Sequence, residues 1–322
     1  MYEQFYGLRE APFELAADPK YLYRCPGHAE ALANLQYGLS SAKAITLMIG
    51  EAGTGKTTLL NAALASEVCG HVRGVCLSNP TLTRTEFIEL LATRFELSAR
   101  AGRSKAPLLS ELEALVRERR ARGEITALVI DEAQSLSTDL LEEIRLLANM
   151  ESGSTKLLPL LLIGQPELAV RLEEGDLRQL KQRVALRCDL RPLTLNETVG
   201  YVATRVRTVG GDPTRLFTRE AILLIHEHSR GIPRTISVIC DNSLVQGFAL
   251  GRELIDSAIV LEVCRDFRTA PATRAPARDV PETLSATASP TSVEEAESES
   301  ARWPRIAAFG RRALRDARQV TR

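Results

Sequence analysis

The chain of 322 residues has room for two domains of ordinary size, and its 44% hydrophobic and 25% charged residues are the proportions of a globular protein. Lys plus Arg equals Asp plus Glu at 41 each, so overall charge singles out no polyanionic partner. No apolar run is long enough to cross a bilayer, and the opening Met1-Tyr2-Glu3-Gln4-Phe5-Tyr6 lacks the basic start and apolar stretch of a signal peptide.

Residues 1–27 are rich in aromatics and proline (Phe5, Tyr6, Pro12, Phe13, Pro19, Tyr21, Tyr23, Pro26) and read as an ordered arm packed on the core. Residues 28–39 read as a helix, with His28 as a polar helix-start residue. The apolar run 44–49 reads as a buried strand. Gly50-Glu51-Ala52-Gly53-Thr54-Gly55-Lys56-Thr57 follows and fits the phosphate-binding loop G-x-x-x-x-G-K-[ST] without a mismatch. A helical stretch, 58–64, comes next. A glycine turn matching by chance is the alternative, and the strand before and helix after argue against it. Gly50, Gly53 and Gly55 let the backbone turn with φ > 0 and approach a ligand closely. Successive N–H groups, from Gly50 through Thr58, then form an anion nest backed by the positive end of the helix. Lys56 reaches the β- and γ-phosphates of a nucleotide, and Thr57 offers a hydroxyl to Mg²⁺.

A second strand is expected at 72–78, ended by Asn79-Pro80, because a residue before proline is pushed away from helix. Helical patterns cover 84–96 and 108–122, and Gly123 stops the second. Ala127-Leu128-Val129-Ile130 then runs straight into Asp131-Glu132. A buried strand that ends in acids lies where open α/β folds bind ligands. Asp131 would hold Mg²⁺, and Glu132 would orient the attacking water. A solvated strand end is the bland alternative for so short a motif. Its place after the loop, with one strand between, is the pattern of P-loop ATPases that hydrolyse with a glutamate. A helix follows at 137–149, a strand at 157–163, and then Gly164-Gln165-Pro166. Gln165 is either a polar side chain beside the γ-phosphate or a plain turn residue. Residues 187–191 read as a fifth strand.

From Thr194 the pattern turns helical. Thr194-x-x-Glu197 is a capping box, and helices are expected to end near Gly210-Gly211, to run from Thr218 to Gly231, from there to Leu250, and from Asp256 to Phe267. Residues 269–300, rich in Ala, Pro, Thr, Ser and Glu, read as a disordered linker. Residues 301–322 hold seven arginines against one acid, Asp316, with Trp303, Ile306, Phe309, Ala313 and Val320 interspersed. This reads either as a basic amphipathic helix for an anionic membrane surface or a partner groove, or as a solvated basic tail, and arginine-rich tails also bind nucleic acid. The six cysteines are scattered, without a C-x-x-C, and read as buried, reduced thiols of a cytosolic protein. His226-x-His228 has no further ligand cluster nearby, so no zinc site is expected.

Over residues 1–268 the chain resembles the AAA+ ATPases of the general secretion pathway protein A family, with relatives in MSHA-type pilus and exosortase systems. The resemblance rests on Met1-Tyr2-x-x-Phe5-Tyr6-Gly7-Leu8-x-x-x-Pro12-Phe13, Asp18-Pro19, Tyr37-Gly38, the phosphate loop, Asp131-Glu132-Ala133-Gln134, Gly164-Gln165-Pro166-Glu167-Leu168 and Gly231-x-Pro233-Arg234. It implies a parallel, five-stranded αβα sandwich (28–192), an all-α lid (193–268), ATP with Mg²⁺, and a homo-oligomeric ring. It also implies Gln165 and Arg234 as sensors of the γ-phosphate, a guanidinium suiting the second role because it is always charged and bonds two oxygens at once. Asn79 matches the polar residue that holds the catalytic glutamate in check, or simply ends its strand. Arg183 is the candidate arginine finger into a neighbouring subunit, with Arg178 as runner-up. The partner implied is a component of a secretion or export machine, met in the cytoplasm or at the inner membrane surface. Longer members carry a transmembrane segment and a peptidoglycan-binding domain after the lid, and this sequence has neither. A DNA-associated ATPase of the transposition-helper type is the alternative. The lid shows no helix-turn-helix reading head and the folded part no long basic run, which lowers that reading.

Overall fold

The computed structural model describes residues 1–269, apart from 17, 79, 80 and 154. The sheet has five parallel strands: β1 (Ile45–Gly50), β2 (Val72–Leu77), β3 (Ile125–Ile130), β4 (Leu160–Gly164) and β5 (Val184–Leu190), in the order β2-β3-β4-β1-β5. The three central strands, β1, β3 and β4, are buried along their whole length. Strands covered on both faces carry unbroken apolar runs, which is why these were plain in the sequence.

The period of two along each strand sorts side chains between the two faces. Ile45, Leu47 and Ile49 join Leu128, Ile130, Leu160 and Leu162 on one face. That face is covered by α3 (Arg84–Arg94), α4 (Lys105–Ala121) and α5 (Thr138–Leu147), through Phe87, Leu91, Leu112 and Ile144. Met48, Val129, Leu161 and Ile163 point the other way, against Leu35 and Leu39 of α1 (Pro26–Ser40) and Leu59, Leu60 and Ala63 of α2 (Lys56–Leu64). Each of the Val, Leu, Ile, Phe and Met side chains among them contributes about 1.5–3 kcal/mol on full burial. This is the expected αβα sandwich, and its layers fix the loop between β1 and α2.

After β4 a short helix not foreseen in the sequence, α6 (Pro166–Arg171), starts on a proline. The helical region comprises α7 (Leu195–Thr208), α8 (Arg219–Ser229), α9 (Pro233–Ala249) and α10 (Ser257–Thr269). The capping box of α7 is formed: Thr194 accepts from the Glu197 N–H, and Glu197 accepts from the Thr194 N–H.

Apolar side chains of the N-terminal segment enter the helical cluster rather than the layers around the sheet. Tyr2, Leu8, Phe13 and Tyr21 pack with Tyr201, Val206, Phe217 and Leu244. Arg205 of α7 ties the two, donating from Nη1 to the carbonyls of Pro12 (3.2 Å) and Glu14 (3.0 Å). Its guanidinium also lies 4.4 Å from the Tyr21 ring centre, within cation–π range. Five of the six cysteines are buried as expected, but Cys76 on edge strand β2 is exposed.

Candidate functional site

The phosphate loop joins the C-terminal end of β1 to α2. Gly53 (φ 82°) and Gly55 (φ 94°) hold left-handed backbone, which L side chains resist. Gly50 serves differently from the expectation: it ends the strand without a positive φ, and a Cβ there would lie 2.7 Å from the Thr54 hydroxyl. That hydroxyl closes the loop by donating to the Glu51 carbonyl at 2.8 Å. Glu51, Ala52 and Thr57 are exposed, Gly53, Gly55 and Thr58 half-buried, and Thr54 and Lys56 buried. Lys56 Nζ donates to the carbonyls of Gly50 (2.8 Å) and Glu51 (2.9 Å). Burial pushes its pKa down, against the pull of Glu132, Asp131 and Glu167.

The acids at the end of β3 meet this loop. Thr57 Oγ1 donates to Asp131 Oδ2 at 3.2 Å, so the two expected magnesium ligands face each other. A hydroxyl and a carboxylate side by side are hard oxygen donors, the set Mg²⁺ prefers beside phosphate oxygens. A Cβ at Gly55 would meet nothing within 4 Å, which leaves the loop backbone open to close approach. The residues present therefore fit a magnesium-bound nucleotide.

Glu132 stands in left-handed backbone (φ 54°), a cost on the order of 1–3 kcal/mol for a non-glycine residue. Asp131 Oδ1 accepts the Glu132 N–H at 2.9 Å and steadies the turn. The Glu132 carboxylate receives amide N–H bonds from Gln134 (2.5 Å) and Gln165 (3.2 Å). Gln134, then Gln165 and the Lys56 charge, hold its pKa below the usual carboxylate value against the effect of burial. The Gln165 side chain thus faces the Glu132 carboxylate.

The helical region reaches the loop through α9. The Arg234 N–H donates to the Gly53 carbonyl at 3.1 Å, and the Arg234 stem crosses Gly53 so closely that a Cβ there would come within 2.7 Å of the Arg234 Cβ. On the other side stands His28, which the sequence marked only as a helix-start residue. It is buried two residues into α1, with Nδ1 3.0 Å from the Tyr23 carbonyl and Nε2 3.2 Å from the Thr54 carbonyl. Nothing local in the sequence signals this, because both partners are backbone.

Arg183 is not part of this cluster. It is half-buried between the helical turn Arg178–Lys181 and the start of β5, while Arg178 is exposed. Asn79, the linker and the basic tail lie outside the described residues. Gln134 and Arg171 were given no role by sequence reasoning. Gln134 bonds Glu132, and Arg171 Nη1 donates to the carbonyls of Gln134 (2.8 Å) and Leu136 (2.7 Å).

A family model described as an AAA domain matches residues 39–172. General secretion pathway protein A of Aeromonas hydrophila is 38% identical over 255 residues, which cover 79% of this chain and 46% of the relative. The chain thus spans about half the length of that relative. Among solved structures, the Aeropyrum pernix ORC2 protein in its ADPNP–ADP complexes superposes with a TM-score of 0.60 at 19% identity, covering 80% of this chain and 71% of that one. Cdc6p of Pyrobaculum aerophilum gives a TM-score of 0.62 at 19% identity, covering 79% and 70%. At such identity these two likenesses establish the fold.

Proposed function

The chain belongs to the AAA+ proteins of the general secretion pathway protein A family, and from that premise we propose that it binds and hydrolyses ATP to power assembly of a secretion, pilus or surface-polymer export machine. The observation that carries the enzymatic part is the meeting of Thr57 with Asp131 beside a Glu132 carboxylate held by two amides. Lys56 and the N–H groups of residues 50–58 would hold the β- and γ-phosphates, and Thr57 and Asp131 the metal. Magnesium, when bound, neutralises phosphate charge. Glu132 orients the water, while Gln165 and Arg234 reach towards the γ-phosphate. In this reading residues 1–27 form the arm, 28–192 the nucleotide domain, 193–268 the lid, 269–300 a linker and 301–322 a tail. The active form is a homo-oligomer, a ring as in other AAA+ proteins, in the cytoplasm or at the inner membrane surface.

The test is ATP turnover. Lys56→Ala is expected to weaken nucleotide binding, because it removes the cation from the phosphates. Glu132→Gln is expected to bind ATP and stall, with turnover lower by on the order of 10²–10³. A Glu132→Gln protein turning over at the wild-type rate refutes the assignment of the catalytic strand. The same assay with anionic liposomes or double-stranded DNA separates the export reading from the DNA-associated one, since the arginines of 301–322 could serve either surface. Stimulation by liposomes supports export. Stimulation by DNA alone supports the second reading.

A further inference from the structure

We infer that Gln134 is a positioning residue that sets the Glu132 carboxylate for hydrolysis and couples it to the strand end that carries Gln165; this rests on the reading of Glu132 as the water-orienting group. The orientation of the Gln134 amide follows from its partners. Its carbonyl oxygen accepts the Gln165 backbone N–H at 3.1 Å, which leaves its NH₂ to donate to Glu132 Oε2 at 2.5 Å. The Gln165 side-chain amide donates to the same Oε2 at 3.2 Å. Both lone pairs of Oε2 are then engaged, and Oε1 is left as the oxygen that can accept from a water.

The amide is itself held in place. The Gln134 backbone carbonyl is bound by Arg171 of α6 at 2.8 Å. The side chain passes over Gly164, where a Cβ would come within 3.1 Å of the Gln134 side-chain oxygen Oε1 and 2.6 Å of Leu168. Gln134 thus touches the catalytic acid with one end and the Gln165 backbone with the other. A shift of the Gly164–Gln165 segment, where the γ-phosphate is sensed, moves the Gln134 amide and with it the carboxylate. Gln165 alone gives a weaker hold, because its own bond to Oε2 is the longer of the two.

Gln134→Met keeps the length of the side chain and removes both its donor and its acceptor. Turnover is expected to fall about ten- to a hundredfold, the scale of a misplaced reacting group. KM for ATP, and affinity for a non-hydrolysable ATP analogue, should stay within about twofold. In a Glu132→Gln background the same change should leave the residual rate unaltered, since no carboxylate remains to be placed. Gln134→Glu serves as the second variant. It can still accept the Gln165 N–H and keeps the shape, but sets a carboxylate against Glu132, so it should lower turnover more than Gln134→Met. A merely structural Gln134 would lose affinity together with turnover, or would depress the Glu132→Gln residue of activity as well; either result overturns the inference, as does wild-type turnover in Gln134→Met. If the wild-type chain shows no ATP turnover at all, the enzymatic reading falls. The positioning itself is read separately from the crystal structure of Gln134→Met: a carboxylate displaced from the Gln165 amide shows that Gln134 places Glu132, and one unmoved refutes the inference whatever the turnover.

Discussion

His28 shows how one side chain can tie the nucleotide loop to the rest of the chain. Both ring nitrogens face backbone carbonyls, of Tyr23 and of Thr54. A neutral imidazole has one N–H and can satisfy only one of them, whereas the imidazolium satisfies both. Burial opposes the charge, but Cys25 beside the ring and the two carbonyls outweigh it and raise the pKa above its ordinary value. Glu197 at the start of α7 also faces the ring electrostatically. Because the folded value is raised, the stabilisation is complete below the ordinary imidazole pKa of about 6.5 and is lost as pH rises through the folded value. A bond from a charged donor is worth roughly 1.5–3 kcal/mol. Thermal unfolding should therefore show the wild type losing midpoint temperature against His28→Gln as pH climbs above about 6.5. The glutamine variant keeps a donor but does not titrate. Parallel pH curves for the two proteins would rule the imidazolium out.

At the scale of elements, local pattern and long-range pairing part company. The unbroken apolar runs of β1, β3 and β4 exposed the central strands, because burial on both faces needs apolar residues at every position. The loop and the acid pair were legible because their chemistry is contiguous in sequence. Edge strand β5 starts at Val184, before the expected 187, since its pattern mixes buried and exposed positions. The aromatics of the arm announced burial but not the surface that buries them, which lies in α7 and beyond. Gln134 was visible as part of a motif, but its bond to the Gln165 backbone spans 31 residues and leaves no local trace. The joint between sheet and helical region is a case where the sequence marked the residue and the structure supplies the reason. Gly231 has φ 74°, its carbonyl accepts the Leu193 N–H at 2.8 Å, and a Cβ would fall 2.0 Å from the Leu193 carbonyl oxygen. Gly231→Ala thus meets both a left-handed penalty of about 1–2 kcal/mol and a clash with backbone that cannot rotate away. Gly123→Ala is the control, with φ 82° and nothing within 4 Å of the added Cβ. Urea melts should place Gly231→Ala clearly below Gly123→Ala, and Gly231→Ala should also weaken ATP binding by displacing Arg234 from Gly53. Equal losses in the two variants would mean that the joint yields easily.

For the whole molecule, the register of the sheet separates Arg183 from the nucleotide loop of its own chain. All five strands are parallel, and β5 pairs with β1 from Val184 opposite Ile45 to Leu190 opposite Gly50. The loop follows Gly50, so it lies at one end of the sheet, while Arg183 lies at the other, roughly 20 Å away at strand rise per residue. In its own chain Arg183 faces the acids Glu142 and Glu151, which are bonded to Arg145 and Lys156. An arginine so placed can serve an ATP site only in a second copy, and fingers of this kind are worth roughly 10³–10⁵ in rate. Arg183→Ala should therefore bind ATP as the wild type does and fail to hydrolyse it. Mixed with Lys56→Ala, which has the finger but no working loop, it should regain part of the activity, because some interfaces then join an intact loop to an intact finger. Arg178→Ala, mixed in the same way, tests the neighbouring candidate. Activity that stays absent at every mixing ratio, in oligomers shown to contain both variants, excludes Arg183 as the finger. A rate per subunit that holds constant on dilution to monomers excludes action between copies altogether, and leaves the site enclosed by α9 and the loop as a complete unit in one chain.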